Sequence, residues 1–187
     1  MKNSLSMKKW IIIPLLFIVF CSFDIQHGMV KVYHKDSRYS SDQICNLRDG
    51  KVYKKNSSYS SDIVCRIEGN KIYKNNSTYS TDIIYTIKEN KIYRGNSTYS
   101  SDQVYTIKDG KVYKGNSTYS SDLLYTIKDN KVYKGNSTYS SDLYFSYDNY
   151  VTIEEFVAIL HVVRYTFWRR ISEGEFCIFF AYSFLFT

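Results

Sequence analysis

Six aspartates stand one every 20 residues, at Asp42, Asp62, Asp82, Asp102, Asp122 and Asp142. Equivalent carboxylates brought to a common axis could ring a cation. Calcium sites, however, gather several carboxylates or carbonyls within one loop, and each Ser-Ser-Asp here offers a single carboxylate. Carboxylates aimed at one axis would also repel and raise one another's pKa. Each Asp is therefore expected to cap a turn, and neither a metal nor another cofactor is expected.

Tyrosine is the second recurring chemistry. One series runs Tyr33, Tyr53, Tyr73, Tyr93, Tyr113 and Tyr133, a second Tyr39, Tyr59, Tyr79, Tyr99, Tyr119 and Tyr139. Repeated weak contacts multiply when they engage one polymer together. The candidate binding residues are thus Tyr73, Tyr93, Tyr113 and Tyr133 with Tyr79, Tyr99, Tyr119 and Tyr139, although at least one of the two series is expected to be ordinary hairpin packing. Cys45 and Cys65 share a repeat position. In-register neighbouring copies would set them side by side, either as a disulfide favoured by export or as small buried thiols. Cys177 has no evident partner. His27, His34 and His161 form no nucleophile–base–orienter set, and no P-loop or GxGxxG is present, so catalysis is not expected.

These residues are carried by six uninterrupted copies that start at Lys31, Lys51, Lys71, Lys91, Lys111 and Lys131. A period of this kind dominates a fold. Each copy has its own hairpin signal, as in Tyr125-Thr126-Ile127-Lys128, then Asp129-Asn130, then Lys131-Val132-Tyr133-Lys134. Asp-Gly or Asn in the turn supplies the positive φ of a type I′ turn. Lys128 should face Lys131 and Ile127 should face Val132. That register puts Tyr125, Ile127 and Val132 on a core side, and Thr126 and Tyr133 on a side suited to the next copy or to water. Gly115 to Asp122 reads as a return connection with room for a short strand around Thr118 to Ser120.

A lone hairpin is marginal in water, so the copies must stack or ring to bury the Ile/Val side. Residues 23–150 form this repeat domain, and Phe23-Asp24-Ile25 resembles a degenerate strand that could pair with Val30 to Tyr33. A capping box at Thr152 and Glu155 opens a helix. Ile153, Phe156, Val157, Leu160, Val163 and Phe167 share one of its faces. This amphipathic helix, 151–168, is expected to cover the end of the array. Residues 169–187 follow no nameable pattern and are expected to be an ill-ordered tail.

At the other end, a basic stretch precedes the apolar run Trp10 to Phe20, signal-peptide length and too short to span a bilayer. Residues 1–22 are read as an export signal, with lipidation at Cys21 disfavoured by Phe20 before it. The mature chain then has no integral membrane span, and its expected location is secreted, periplasmic or cell-envelope. With 44% hydrophobic and 18% aromatic residues, 187 residues suffice for one domain with a real core. The net charge of +7 falls to about +4 without Lys2, Lys8 and Lys9, and is spread evenly over the copies, which argues against nucleic acid.

KIYRGNSTYSSDQVYTIKDG repeated, followed by VTIEEFVAILHVVRYTF, resembles the small exported bacterial proteins named 5-fold beta-flower proteins, over about residues 23 to 168. The resemblance implies an exported ring of β-hairpins with a terminal helix, and carries over no functional residues. The expected fold is thus mainly β, six 20-residue hairpins in a flower-like ring, the alternative being an open β-solenoid. In a bacterial chain the Asn-Ser-Thr turns at Asn76, Asn96, Asn116 and Asn136 are turns rather than glycosylation sites. Two functions compete. One is a non-catalytic binding module for glycan or another envelope polymer; the other is an assembly module that docks an envelope protein through the helix and tail.

Overall fold

The computed structural model describes residues 28–173, with side chains as far as Tyr165. The export signal, Cys21, the strand expected at Phe23 to Ile25, His27, Cys177 and the tail beyond Glu173 lie outside the described residues, as does the side chain of Phe167.

Twelve strands close into one antiparallel barrel. They are β1 (Val30–His34), β2 (Gln43–Arg48), β3 (Lys51–Lys54), β4 (Ile63–Glu68), β5 (Lys71–Lys74), β6 (Ile83–Lys88), β7 (Lys91–Arg94), β8 (Gln103–Lys108), β9 (Lys111–Lys114), β10 (Leu123–Lys128), β11 (Lys131–Lys134) and β12 (Leu143–Tyr147). Each strand pairs with its sequence neighbours, and β1 returns to pair with β12. The array is therefore a closed ring rather than an open solenoid. Among the described residues no strand edge is left to recruit another chain.

The hairpin register is the one the alternation dictates, with Lys128 opposite Lys131 and Ile127 opposite Val132. Asp49-Gly50, Glu89-Asn90, Asp109-Gly110 and Asp129-Asn130 all have both turn residues at positive φ, as a type I′ turn requires. These turns also stitch the petals together. Gly50, Asn70, Asn90, Gly110 and Asn130 each accept, through the carbonyl, the N–H of a residue in the following copy: Ile67, Ile87, Ile107, Ile127 and Tyr147. At the other end of the ladder each copy's long strand carries a bulge at its second residue, Ile44, Val64, Ile84 and Leu124 among them. The return connection contains one turn of 3-10 helix, at Ser120–Asp122 in the fifth copy, where a short strand had room to form.

Helix α1 (Ile153–Glu173) opens with the expected capping box: the Thr152 N–H donates to Glu155 Oε2 at 2.8 Å and the Glu155 N–H to Thr152 Oγ1 at 3.3 Å. It does not lie over the end of the array on one apolar face. Phe156, Val157, Ala158, Ile159 and Leu160 are all buried, and five consecutive residues cover every direction around a helix axis. They share one core cluster with the lumen-facing Val52, Cys65, Ile72, Ile92 and Phe145. The helix thus occupies the lumen, entering at the hairpin-turn rim where β12 ends. Eight strands already enclose a space that side chains fill; twelve leave room for a helix.

The helix is off-centre, closest to β2, β3, β4 and β5. Here the lumen-facing side chain of the long strand is Cys45 or Cys65, and Cys65 Sγ lies 3.9 Å from the Ala158 carbonyl oxygen. Later copies have Tyr85, Tyr105 and Tyr125 at that position. The two thiols are free and buried, so of the two readings that their shared repeat position allows, it is the buried thiols and not the disulfide that the structure has. β3 stands between β2 and β4, so two strand spacings, about 9.6 Å, separate the cysteines, beyond the roughly 7 Å that a disulfide spans. Burial pushes the Cys65 thiol up to about 12 and the Cys45 thiol higher still, so both stay protonated. No helix among the described residues is long and apolar enough to cross a membrane.

Two variants test this architecture. Removing residues 111–130 leaves every junction chemically unchanged but asks ten strands to hold the same helix; calorimetry should show loss of the cooperative melt or a change of oligomeric state, and a monomer melting within a few degrees of the parent would contradict closure. Cys65→Tyr installs the side chain that the next three copies carry. Against Ala158 it should cost about 1–3 kcal/mol in denaturant unfolding, as overpacking does.

Candidate functional site

The return connections build the most regular surface of the molecule. In each copy a serine at the seventh position (Ser37, Ser57, Ser77, Ser97, Ser117, Ser137) donates its hydroxyl to Oδ2 of the Asp five residues on, at 2.5–2.6 Å. The same Oγ accepts the N–H of the intervening tyrosine at 3.1–3.2 Å. The Asp N–H in turn donates to that tyrosine's carbonyl oxygen at 3.0 Å. The aspartates are turn fasteners, as their spacing suggested, and they do not converge on an axis. Among the described residues no group of acidic, His or Cys side chains could hold a metal ion.

The partner serines recur in all six copies, and that recurrence was the available signal for them. A Ser–Asp hydroxyl-to-carboxylate bond is charge-assisted and short. It fixes the loop before any ligand arrives. What it holds out is tyrosine: Tyr39, Tyr59, Tyr79, Tyr99, Tyr119 and Tyr139 are 73–76% exposed, nearly uniform around the barrel.

The other tyrosine series behaves differently. Tyr73, Tyr93 and Tyr133 are buried and Tyr113 is half-buried, which removes these four from the candidate binding surface. They stand on the outer face of the barrel, opposite to the core cluster, because period-two alternation sends the residue after Val52 or Ile72 outward. The return connection folds back over that face. Asn46 Nδ2 donates to the carbonyls of Lys55 and Ser57, both at 2.9 Å, and the Thr86, Thr106 and Thr126 hydroxyls donate to the Gly95, Gly115 and Gly135 carbonyls at 2.7–2.8 Å. The tyrosines are packing under these covers.

His34 stands at the end of β1. His161 sits in the lumen edge-on to Tyr85, with ring centroids 5.5 Å apart, and burial lowers its pKa. The two histidines stand on different elements, β1 and α1.

A six-petalled closed ring is what the comparison of sequences also finds: a family model described as 6-fold beta flower protein matches residues 32–160. The chain belongs to that family. The petal number is six rather than the five of the resemblance drawn from the repeat, and the match runs from β1 well into the helix of this beta flower. No curated protein and no solved structure matches the chain.

If the Ser–Asp fastener is what holds the tyrosines out, Asp102→Asn in this beta flower should cost about 1.5–3 kcal/mol in denaturant unfolding, the usual worth of a hydrogen bond to a charged group. It should also raise hydrogen exchange at Tyr99 and Asp102 alone. Tyr99→Ser, by contrast, should leave stability within about 0.5 kcal/mol, as exposed substitutions do. Equal losses from both would show that the tyrosine rings are themselves structural.

Proposed function

We propose that the protein is an exported, non-catalytic binding module that engages a polymer, a glycan of the cell envelope or its surroundings, through the ring of Tyr39, Tyr59, Tyr79, Tyr99, Tyr119 and Tyr139. The observation that supports it is the near-uniform exposure of these six rings on loops fastened in advance. An exposed aromatic ring costs solubility, and six retained on fastened loops suit a task of stacking. Tyrosine offers a flat apolar body with a hydroxyl at its edge, which matches a sugar's C–H face and hydroxyl rim. Preformed loops keep the ordering cost of binding low, and six equivalent contacts on one ring multiply weak affinities when a polymer spans several of them. The export half of this reading rests on the basic and apolar residues before Cys21.

The alternative, docking of an envelope protein through the helix, has less to work with. Between Phe156 and Val163 the helix is enclosed by the barrel and offers no free apolar face.

Sedimentation with insoluble cell-wall polysaccharide tests the proposal. Replacing Tyr99, Tyr119 and Tyr139 by Ser one, two and three at a time should reduce the bound fraction progressively, with more than additive loss because avidity falls as well. Unchanged binding of the triple variant, or no binding by the parent at high protein concentration, would overturn it.

A further inference from the structure

The hairpin ends carry a charge pattern that the fold does not ask for. The two residues that flank a hairpin turn stand directly opposite each other across the ladder, and in four hairpins both are cations: Arg48 with Lys51, Lys88 with Lys91, Lys108 with Lys111 and Lys128 with Lys131. Like charges directly opposite are destabilising. The second hairpin shows that these positions accept an opposite-charge pair, since Glu68 faces Lys71 there. Ile127 and Val132 turn to the lumen, so period-two alternation sends Lys128, Lys131 and their counterparts to the outer flank.

On that flank the pairs stand beside the tyrosine loops. Lys91 is opposite Thr106 and Lys111 is opposite Thr126. Those two threonine hydroxyls hold the Gly115 and Gly135 carbonyls, at the start of the loops of Tyr119 and Tyr139. Lys131 reaches the loop of Tyr39 itself, its Nζ lying 2.7 Å from Asp36 Oδ2. Each lysine pair on β6–β11 thus has one fastened tyrosine loop next to it, and successive pairs are two strand spacings apart, about 9.6 Å. Lys88, Lys108 and Lys128 are exposed and their partners half-buried. Among the described residues Lys88, Lys91, Lys108, Lys111 and Lys128 make no ion pair, and the turn carboxylates Glu89, Asp109 and Asp129 pair with none of them. A carboxylate entering beside such a pair relieves its repulsion and accepts charge-assisted hydrogen bonds from both ammonium groups.

We infer that the polymer taken by the outer ring is a uronate-bearing polysaccharide, its carboxylates on the lysine pairs of β6–β11 and its pyranose rings on Tyr119, Tyr139 and Tyr39. This rests on the polymer-binding reading above and adds to it the charge of the ligand. A polyuronate offers both halves in one sugar, a ring face and a carboxylate fixed to it. A polyphosphate chain offers the charge without the ring, and a neutral glycan the ring without the charge. An acid on every sugar also lets the chain meet the pairs in any register. The hairpins keep like charges that weaken the free barrel, and a bound acid chain neutralises them, which is electrostatic complementarity between the two surfaces.

Isothermal titration of the full chain with polygalacturonate, with the same polymer after reduction of its carboxyls to alcohols, and with inorganic polyphosphate tests the inference. Polygalacturonate should bind at least tenfold more tightly than either of the others, and its affinity should fall as salt is raised. Combining Lys88→Glu, Lys108→Glu and Lys128→Glu gives three hairpins the charge pair that Glu68 and Lys71 already form on the second. This variant should hold or raise the parent melting temperature and weaken polygalacturonate at least tenfold. Equal affinity for the carboxyl-reduced polymer, or polygalacturonate binding kept in full by the triple variant, would overturn the inference and leave the polymer reading standing. Equal affinity for polyphosphate would show charge acting without the sugar ring and overturn the uronate assignment. Binding of neither polysaccharide would overturn both readings.

Discussion

A barrel of twelve strands encloses more space than its own side chains can fill, and the rest of this structure follows from that constraint. The ring closes because each hairpin buries its Val or Ile only against neighbours, and closure leaves no edge. It also creates a lumen wide enough that a ring of apolar side chains alone would face a void. Helix α1 resolves the conflict by supplying apolar atoms in every direction, from Phe156 to Val163. Ring and helix each need the other: a helix apolar all round cannot be solvated, and the barrel cannot be dry without it.

Placing one helix in a six-fold ring forces the symmetry to break somewhere, and it breaks on the inner face. Along the lumen-facing position of the long strands the residues run Cys45, Cys65, Tyr85, Tyr105, Tyr125, Phe145. Small side chains lie where the helix comes close, large ones where it does not. The outer positions have no such burden. The seventh-position serines, the exposed tyrosines and the aspartates are the same in all six copies, since each meets the same environment. At this lumen-facing position the variation follows the approach of the helix, while the Ser, Tyr and Asp of the outer fastener stay identical.

The hairpins were legible because local chemistry decides them. Asp109-Gly110 and Asp129-Asn130 specify the turn, the alternation in Tyr125 to Lys128 specifies the faces, and the register follows. What lay beyond reach was relational. The stripe of Ile153, Phe156, Val157, Leu160 and Val163 suggested a one-sided helix, although Ala158, Ile159 and Val162 off the stripe are apolar too and were the sign of full enclosure. Cys45 and Cys65 looked adjacent because copies were counted rather than strands; β3 lies between them. The third-position tyrosines looked available because alternation says which side a residue faces, not what folds back over it.

The same separation explains how one scaffold can hold surfaces of different character. The outer loops are fastened within themselves, Ser to Asp to Tyr backbone, and their carbonyls are held by Asn46 or by Thr86, Thr106 and Thr126 of the preceding strand. None of those bonds involves the helix. A change in the lumen, where side chains touch across copies, strains the barrel as a whole; a change in an outer tyrosine alters one of six equivalent projections. The sequence can therefore vary the lumen only in concert with α1, while the outer tyrosines are held alike by a local bond network that each copy carries complete.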